Sequence, residues 1–261
     1  MFDRTPWSLV SANATPVPPS PAPRTEIALQ RVHHAIVSCE LAPGSMIHEA
    51  VLAEHFRLGR AAVRVALTRL EAIGFVERQA RQGWRVTSLD GPHVAALILA
   101  RRQLEPALAR RLLSAEEVQV LRALAIAVGA AAGRQEPAIV ATARAAERRM
   151  RDLLAEQSGA LARRWFSELA DHVSRIVRAL EIAGLPLAPA DLSPLIEALA
   201  SGDAVSAERL IRAEIDGFEI AVARAMLSFA PQVHPAKRRR GRRPLAPKPM
   251  AAAPATKRRE E

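Results

Sequence analysis

Arginines are concentrated where a short helix is expected to begin. Arg60 and Arg64 are four residues apart, so they lie on one face of a helix. A guanidinium group can donate two hydrogen bonds to O6 and N7 of guanine, and the backbone N–H groups of a helix N-terminus attract phosphate. The stretch between His55 and Glu71 contains no acidic residue. Its arginines are therefore predicted to contact double-stranded DNA: Arg57, Arg60, Arg64 and Arg69.

A predicted β-hairpin supplies a second set of residues that could contact DNA. Residues 75–78 and 84–87 are typical of two strands joined by a tight connection. Gly83 is expected near the tip, where it would let the backbone approach a phosphate. Four residues of the hairpin are predicted contacts: Arg81, Gln82, Gly83 and Arg85. Trp84 is predicted to pack beneath the hairpin. The alternative is that these arginines form only the solvated surface of an arginine-rich chain.

The elements that would position these residues form a winged helix-turn-helix over residues 24–90. Thr25 can cap a first helix, which is followed by a short strand near residues 45–47. Helices at about 49–56 and 60–73 are joined by a tight turn at Leu58-Gly59, and the hairpin completes the unit. A second helix with arginines at its start is typical of one that enters the major groove.

The rest of the chain is predicted to be helical, so the fold class is mainly α. Residues 91–230 show no strand alternation and are predicted to form a bundle of about six helices. The segments lie at about 93–113, 115–131, 138–158, 160–183, 191–200 and 204–229. We expect this bundle to bind an effector and to form the contact between two copies of the chain.

Both ends of the chain are predicted to be disordered. Residues 1–23 contain six prolines, and residues 231–261 are also rich in proline. Residues 237–261 hold ten basic and two acidic residues, so the tail carries +8 of the formal net charge of +10. Residues 237–244 resemble the Arg-Gly-Arg-Pro core of an AT-hook with one extra arginine. The alternative is a polycation that raises non-specific affinity for DNA.

Composition excludes several classes of protein. A single cysteine rules out an internal disulfide framework, and no apolar run approaches the roughly 20 residues that span a bilayer. The first residues lack the pattern of an export signal, so a cytoplasmic location beside the DNA is expected. Since no nucleophile, general base or phosphate loop is assembled, the sequence predicts no enzymatic activity.

Two sets of segments resemble the GntR family of bacterial transcription regulators. Residues 40–54 and 69–78 are similar to its DNA-binding domain, although Gly59-Arg60-Ala61-Ala62 replaces the usual Ser-Arg-Thr-Pro. Residues 101–107 and 196–203 are similar to the helical effector domain of the FadR-type branch, called the FCD domain. The resemblance implies a homodimer that binds two half-sites on DNA.

The resemblance also points to an effector site that has changed. Most such effector domains hold a divalent metal with one Asp and three His, whereas the matching positions here are Glu147, Arg151, Ser193 and Glu214. Because an arginine repels a metal ion, no metal cofactor is predicted. In one interpretation, Arg151 and Arg101 bind a carboxylate effector together with these residues. In the other, Glu147 and Arg151 form an i, i+4 ion pair that binds nothing.

Together these features predict a repressor or activator of transcription that responds to a small effector. Two alternatives stay open. The pocket could have degenerated, leaving a constitutive or architectural DNA-binding protein, or the helical domain could be a scaffold for protein partners.

Overall fold

The computed structural model describes residues 22–134 and 136–229, and within them it is mainly helical, as predicted. Its helices are α1 (Ala22–Val37), α2 (Glu49–His55), α3 (Arg60–Ala72), α4 (Gly91–Leu104), α5 (Ala115–Gly129), α6 (Pro137–Ala155), α7 (Ala160–Ile182), α8 (Ser193–Ala200) and α9 (Ala204–Phe229). Its strands are β1 (Met46–Ile47), β2 (Val76–Gln79) and β3 (Gly83–Val86). The predicted basic tail at 231–261 and most of the predicted arm at 1–23 lie outside the described residues.

Helices α1, α2 and α3 enclose a small core. The hairpin of β2 and β3, called the wing, covers this core. Helix α3 buries Val63, Leu67 and Leu70, which recur at helical spacing and are fully inaccessible to solvent. These side chains meet Val32 and Ile36 of α1 in one hydrophobic cluster. Helix α1 begins at Ala22, so Thr25 lies inside the helix and the prediction that it caps the helix is wrong.

The three strands form one antiparallel sheet in the order β1-β3-β2. Strand β3 is central, with Arg85 opposite Met46 of β1 and opposite Glu77 of β2. The predicted hairpin and the predicted short strand before α2 are both confirmed. The sheet rests on the three-helix core through Phe75, Val76 and Val86, which belong to the same cluster as α3.

The second core lies among helices α4 to α9 and draws its buried residues from positions 94–225. Asp90 begins this unit by accepting a hydrogen bond from the N–H of His93 at 3.0 Å, which caps α4. The helix predicted over 93–113 is wrong in its second half, because α4 ends at Leu104 and Glu105–Arg110 continue as a 3₁₀ helix. Pro106 explains the change, since it has no N–H for an α-helical bond.

Contacts between the two units involve α1 and α7. The thiol of Cys39, just after α1, donates to the backbone oxygen of Arg175 at 3.6 Å, and the ring of Phe75 stacks on that of His172 at 4.1 Å. Helix α7 therefore lies directly against the winged helix-turn-helix. Within the described residues, no helix is both long and apolar enough to cross a membrane.

Candidate nucleic-acid interface

Helix α3 presents one exposed face that carries arginine side chains. Arg60 is exposed in the first turn, and the side chain of Arg64 is 66% exposed. The N-cap residue, Gly59, has no side chain to bond the first N–H groups of the helix. These N–H groups can therefore bind a phosphate, as the sequence predicted for a helix N-terminus.

Arg64 is held by an acidic residue of the preceding helix. Its Nε donates to Glu49 Oε2 at 2.9 Å, and the indole N–H of Trp84 donates to the other oxygen of the same carboxylate at 3.2 Å. The hydrogen bond from Arg64 holds the pKa of Glu49 below its usual range. Arg64 is therefore pre-positioned on the exposed face, but it would have to exchange this carboxylate for a base or phosphate to bind DNA.

Arg69 lies away from the other two arginines of α3. It follows Arg60 by nine residues, which is two and a half turns of helix, so it lies on the opposite flank. Its Nη1 pairs with Glu26 Oε2 of α1 at 3.2 Å. The structure therefore separates Arg69 from Arg60 and Arg64, although the sequence grouped all three.

The turn between α2 and α3 differs from the one that the sequence predicted. Its left-handed residue is Arg57, with φ of 53°, whereas Gly59 has an ordinary φ of −70°. The backbone N–H of Arg57 donates to the oxygen of Glu54 at 3.1 Å. Arg57 thus occupies a conformation that L-residues other than Asn and Asp rarely adopt.

Two arginines of α1 join this turn, and the sequence analysis missed both. Arg24 and Arg31 are seven residues apart, close to two turns of helix, and with Arg57 they line a depression of about 370 Å³ beside Gly59. Arg31 Nη1 donates to the backbone oxygen of Phe56 at 2.9 Å, which fixes it at the turn. The seven-residue spacing of these arginines already indicates that they share one face of α1. Only the packing of α1 against α3 shows that this face lies beside the start of α3.

The wing places two of its four predicted residues at an exposed tip. Arg81, with φ of 63°, and Gln82 are exposed. Arg85 instead pairs with Glu77 on the neighbouring strand at 2.7 Å and is half-buried. Gly83 has φ of 97°, and a Cβ atom there would lie 2.9 Å from the backbone oxygen of Ile47. The close approach that requires glycine is therefore to β1.

The buried position predicted for Trp84 is confirmed. Its side chain is 2% exposed, and the guanidinium of Arg78 lies 4.7 Å from the ring centre. The ring is therefore part of the core of the winged helix-turn-helix.

In the helical unit, four of the five predicted effector residues meet in one ionic cluster. Arg151 Nη2 is 3.1 Å from Glu147 and 2.8 Å from Glu214, so the predicted i, i+4 pair forms. Arg101, which is fully buried, bonds Glu214 at 2.5 Å and Glu105 at 2.7 Å. Each guanidinium is therefore already neutralised by carboxylates of the protein.

The arginines of this cluster stabilise the ionised form of its central carboxylate. Burial alone would raise the pKa of Glu214, but the charges of Arg151 and Arg101 lower it below its usual range. The adjoining cavity measures about 50 Å³, far below the roughly 300 Å³ at which small-molecule sites begin. Glu105 and Phe166, which the sequence analysis did not single out, line it together with Leu192.

The donor set of this cluster does not fit a divalent metal. The carboxylate oxygens of Glu147 and Glu214 accept hydrogen bonds from arginine, and an arginine would repel a metal ion. The described residues contain no group of three His, Cys, Asp or Glu side chains placed to hold one. Ser193 is exposed at the start of α8 and does not line the cavity, whereas its neighbour Leu192 does.

Comparison with known proteins agrees with the geometry of the first unit. Residues 24–86 match the family model described as bacterial regulatory proteins, gntR family. A search of curated protein sequences finds no significant match.

Solved structures extend the likeness to the helical unit. The chain is similar to E. coli McbR/YncC, with a TM-score of 0.61 and 19% identity over 78% of this chain and 98% of that one. It is equally similar to a protein described as a transcriptional regulator GntR from Rhodococcus sp. RHA1, with a TM-score of 0.61 and 18% identity over 77% of this chain and 98% of that one. At such identities the likeness establishes the shared fold.

Proposed function

We propose, from the premise that residues 24–86 are a DNA-binding domain of the gntR family of bacterial regulatory proteins, that this DNA-binding transcription regulator reads its operator with the exposed face of α3. The observation that carries the proposal is the exposed, uncapped N-terminus of α3, with Arg60 in its first turn. Arg57 and the depression formed with Arg24 and Arg31 lie beside it. A helix start of this charge suits the major groove and its flanking phosphates.

The proposed contacts divide into two kinds. Arg60 and Arg64 contact base edges, and Arg64 gives up its bond to Glu49 when it does so. Arg24, Arg31 and Arg57 contact phosphates, which fixes the register of α3 in the groove. The exposed wing tip, at Arg81 and Gln82, lies along the neighbouring groove. Arg69 and Arg85 act within the protein, because Arg69 lies on the flank of α3 opposite Arg60 and pairs with α1, and Arg85 lies on the central strand of the sheet and pairs with Glu77.

Binding to DNA upstream of its own gene tests this proposal. We expect Arg60→Ala to weaken binding to that fragment by about tenfold or more, since a bidentate pair contributes about 1–3 kcal/mol. Binding is measured by fluorescence anisotropy beside a shuffled fragment of equal length. Arg212→Ala is the matched control, because Arg212 is an exposed helical arginine of α9 paired with Glu208. Equal binding by Arg60→Ala and the parent protein would remove α3 from the interface.

The proposed phosphate contacts can be tested separately, through the salt dependence of DNA binding. For Arg31→Ala we expect weaker binding to both fragments and a slope of log affinity against log salt that is smaller by about one. A variant that loses affinity for the upstream fragment alone would show that Arg31 reads bases.

We further propose that the protein acts as a homodimer controlled by a small carboxylate effector, in the cytoplasm where its DNA partner lies. Two half-sites one helical turn apart suit a symmetric dimer. The ionic cluster around Arg151 is a weak candidate for the effector site, since both guanidiniums are neutralised and the cavity is small. Sedimentation measures the oligomeric state, and a monomer bound to a full operator would contradict this part of the proposal.

A further inference from the structure

One carboxylate joins three parts of the winged helix-turn-helix. Glu49 lies in the first turn of α2, and its Oε2 accepts a hydrogen bond from Arg64 Nε at 2.9 Å and lies 2.8 Å from Arg64 Nη2. Its Oε1 accepts the indole N–H of Trp84, on β3 of the wing, at 3.2 Å. Both oxygens of Glu49 are therefore used, one by α3 and the other by the wing.

The carboxylate of Glu49 is fixed in place, whereas the guanidinium that it holds can move. The indole of Trp84 is buried and has a single N–H group, which is donated to Oε1 of Glu49. The side chain of Arg64 is 66% exposed, whereas that of Glu49 is only 23% exposed. When Arg64 turns towards DNA, Glu49 therefore stays where the wing holds it.

The departure of Arg64 would leave Oε2 of Glu49 without a partner. Within the described part of the chain, Arg64 is the one cation at ion-pair distance from Glu49. The next arginine of the wing, Arg78, lies over the ring of Trp84, 4.7 Å from the ring centre. A partly buried acceptor without a hydrogen bond is costly, so a donor supplied by DNA is favoured at this oxygen.

The position of this oxygen suits a contact with the edge of a base. It lies within 2.9 Å of a guanidinium on the exposed face of α3, the face that is proposed to enter the major groove. Base pairs are stacked about 3.4 Å apart, so an acceptor this close to Arg64 reaches the same base pair or the next one. The groups in the major groove that donate to a carboxylate are N4 of cytosine and N6 of adenine. Phosphate oxygens only accept hydrogen bonds, so they cannot satisfy Oε2.

We propose that Glu49 is a further residue that reads bases. Once Arg64 has moved to DNA, the freed Oε2 of Glu49 accepts a hydrogen bond from the exocyclic amino group of a cytosine or adenine, in or beside the base pair that Arg64 contacts. This inference rests on the proposed reading of DNA by α3. It adds a contact from α2, where the sequence analysis predicted none.

Selection of bound sequences from a random pool of double-stranded DNA tests this assignment on the full chain. We expect the parent protein to enrich a motif with cytosine or adenine at one position in or beside the base pair whose preference Arg64→Ala loses. In Glu49→Gln the amide oxygen stays on the N–H of Trp84, so the NH₂ group takes the place of Oε2 and faces DNA. This variant should therefore select thymine or guanine at that position, because these bases present acceptors in the major groove.

The matched control is Glu54→Gln, which removes the same charge from an exposed position on α2 and should enrich the parent motif. The identity of the selected base is the readout, since loss of a negative charge alone raises the affinity for all sequences alike. An unchanged motif in Glu49→Gln, or a lost preference with no new base, would overturn the assignment and leave Glu49 as a support for Arg64.

Removal of the amino group from the DNA tests the same contact without changing the protein. In the selected motif, pyrimidin-2-one replaces cytosine, or purine replaces adenine, at the position assigned to Glu49. We expect the parent protein to lose affinity by about tenfold or more in fluorescence anisotropy, and Glu49→Gln to lose about twofold or less. The same replacement outside the motif is the control. No loss in the parent protein, or an equal loss in both proteins, would contradict the contact.

The same selection separates this inference from the proposed function. A parent protein that enriches no motif, or an Arg60→Ala variant that keeps the parent motif in full, would contradict the proposed reading of DNA by α3. A parent motif that depends on Arg60 but is unchanged in Glu49→Gln would overturn the role of Glu49 alone.

Discussion

At the scale of single residues, two backbone positions decide the shape of the proposed DNA-binding surface. Arg57 and Gly83 both have a positive φ, but only one of them is glycine. Gly83 is required twice, by its φ of 97° and by the backbone oxygen of Ile47 2.9 Å from where a Cβ would lie. No packing contact requires the positive φ at Arg57, since its side chain is exposed. A strained residue that the core does not need fits a role in contacting DNA.

Replacing Arg57 should change stability and DNA binding in opposite directions. We expect Arg57→Gly to raise the free energy of unfolding by about 1 kcal/mol, because glycine adopts this φ without strain. The same variant should bind DNA more weakly, since it would lose the proposed phosphate contact. Urea denaturation and fluorescence anisotropy measure the two effects. A less stable Arg57→Gly variant would contradict the strain argument. Gly83→Ala is the reverse case and should be destabilised.

At the scale of elements, an alternating chain of charges joins the helices of the second unit. It runs through Glu181 of α7, Arg144, Glu147 and Arg151 of α6, Glu214 of α9, and Arg101 and Glu105 at the end of α4. Glu214 is central because it pairs with two arginines from different helices. Such a buried network fixes the registry of α4, α6 and α9 relative to one another.

Breaking this network at its centre should be costly. We expect Glu214→Ala to lower the free energy of unfolding by about 3 kcal/mol or more, because it leaves the fully buried Arg101 and the largely buried Arg151 without that carboxylate. Glu208→Ala is the matched control on the same helix, where the pair with Arg212 is exposed and contributes about 0.5 kcal/mol. Both are measured by urea denaturation. Equal losses in the two variants would show that the cluster is not a structural support.

At the scale of the whole molecule, the junction between the two units depends on uncharged histidine. His172 stacks on Phe75 and is 3.1 Å from the oxygen of Ile73, so it links α7 to the end of α3. Burial lowers the pKa of His172 from 6.5 to about 4, and burial likewise lowers the pKa values of His33 and His93. Burial also lowers the pKa of Arg175 to about 10. The junction therefore favours neutral rings beside one buried cation.

Stability should consequently fall in acid. Between pH 6.5 and about pH 4 the unfolded chain binds a proton at His172 that the folded protein excludes, so the stabilisation present above pH 6.5 is lost as the pH falls. For His172 alone the loss amounts to about 3 kcal/mol. Thermal unfolding from pH 7 to pH 4 measures it. His172→Gln should show a shallower dependence, and His55→Gln, at an exposed position, should keep the parent slope. Identical slopes in all three proteins would refute this account of the junction.

The sequence predicted the elements well where periodicity and turn residues are local signals. The apolar spacing in α3 and the glycine-bearing hairpin determined a winged helix-turn-helix, and the spacing of Arg60 and Arg64 determined that they share a face. The exception in the second unit, the end of α4, followed from Pro106 and could have been read from the sequence.

Only the tertiary structure decided which charged residues are available to a ligand. Arg64, Arg69 and Arg85 are each paired with a glutamate that is distant in sequence or lies on a neighbouring strand. A cleft between the two units is lined by residues that are spread from position 71 to position 172, so no local sequence pattern predicts it. The physical reason is that periodicity is set by neighbours along one helix or strand, whereas the pairing of a charge depends on whichever element packs against it.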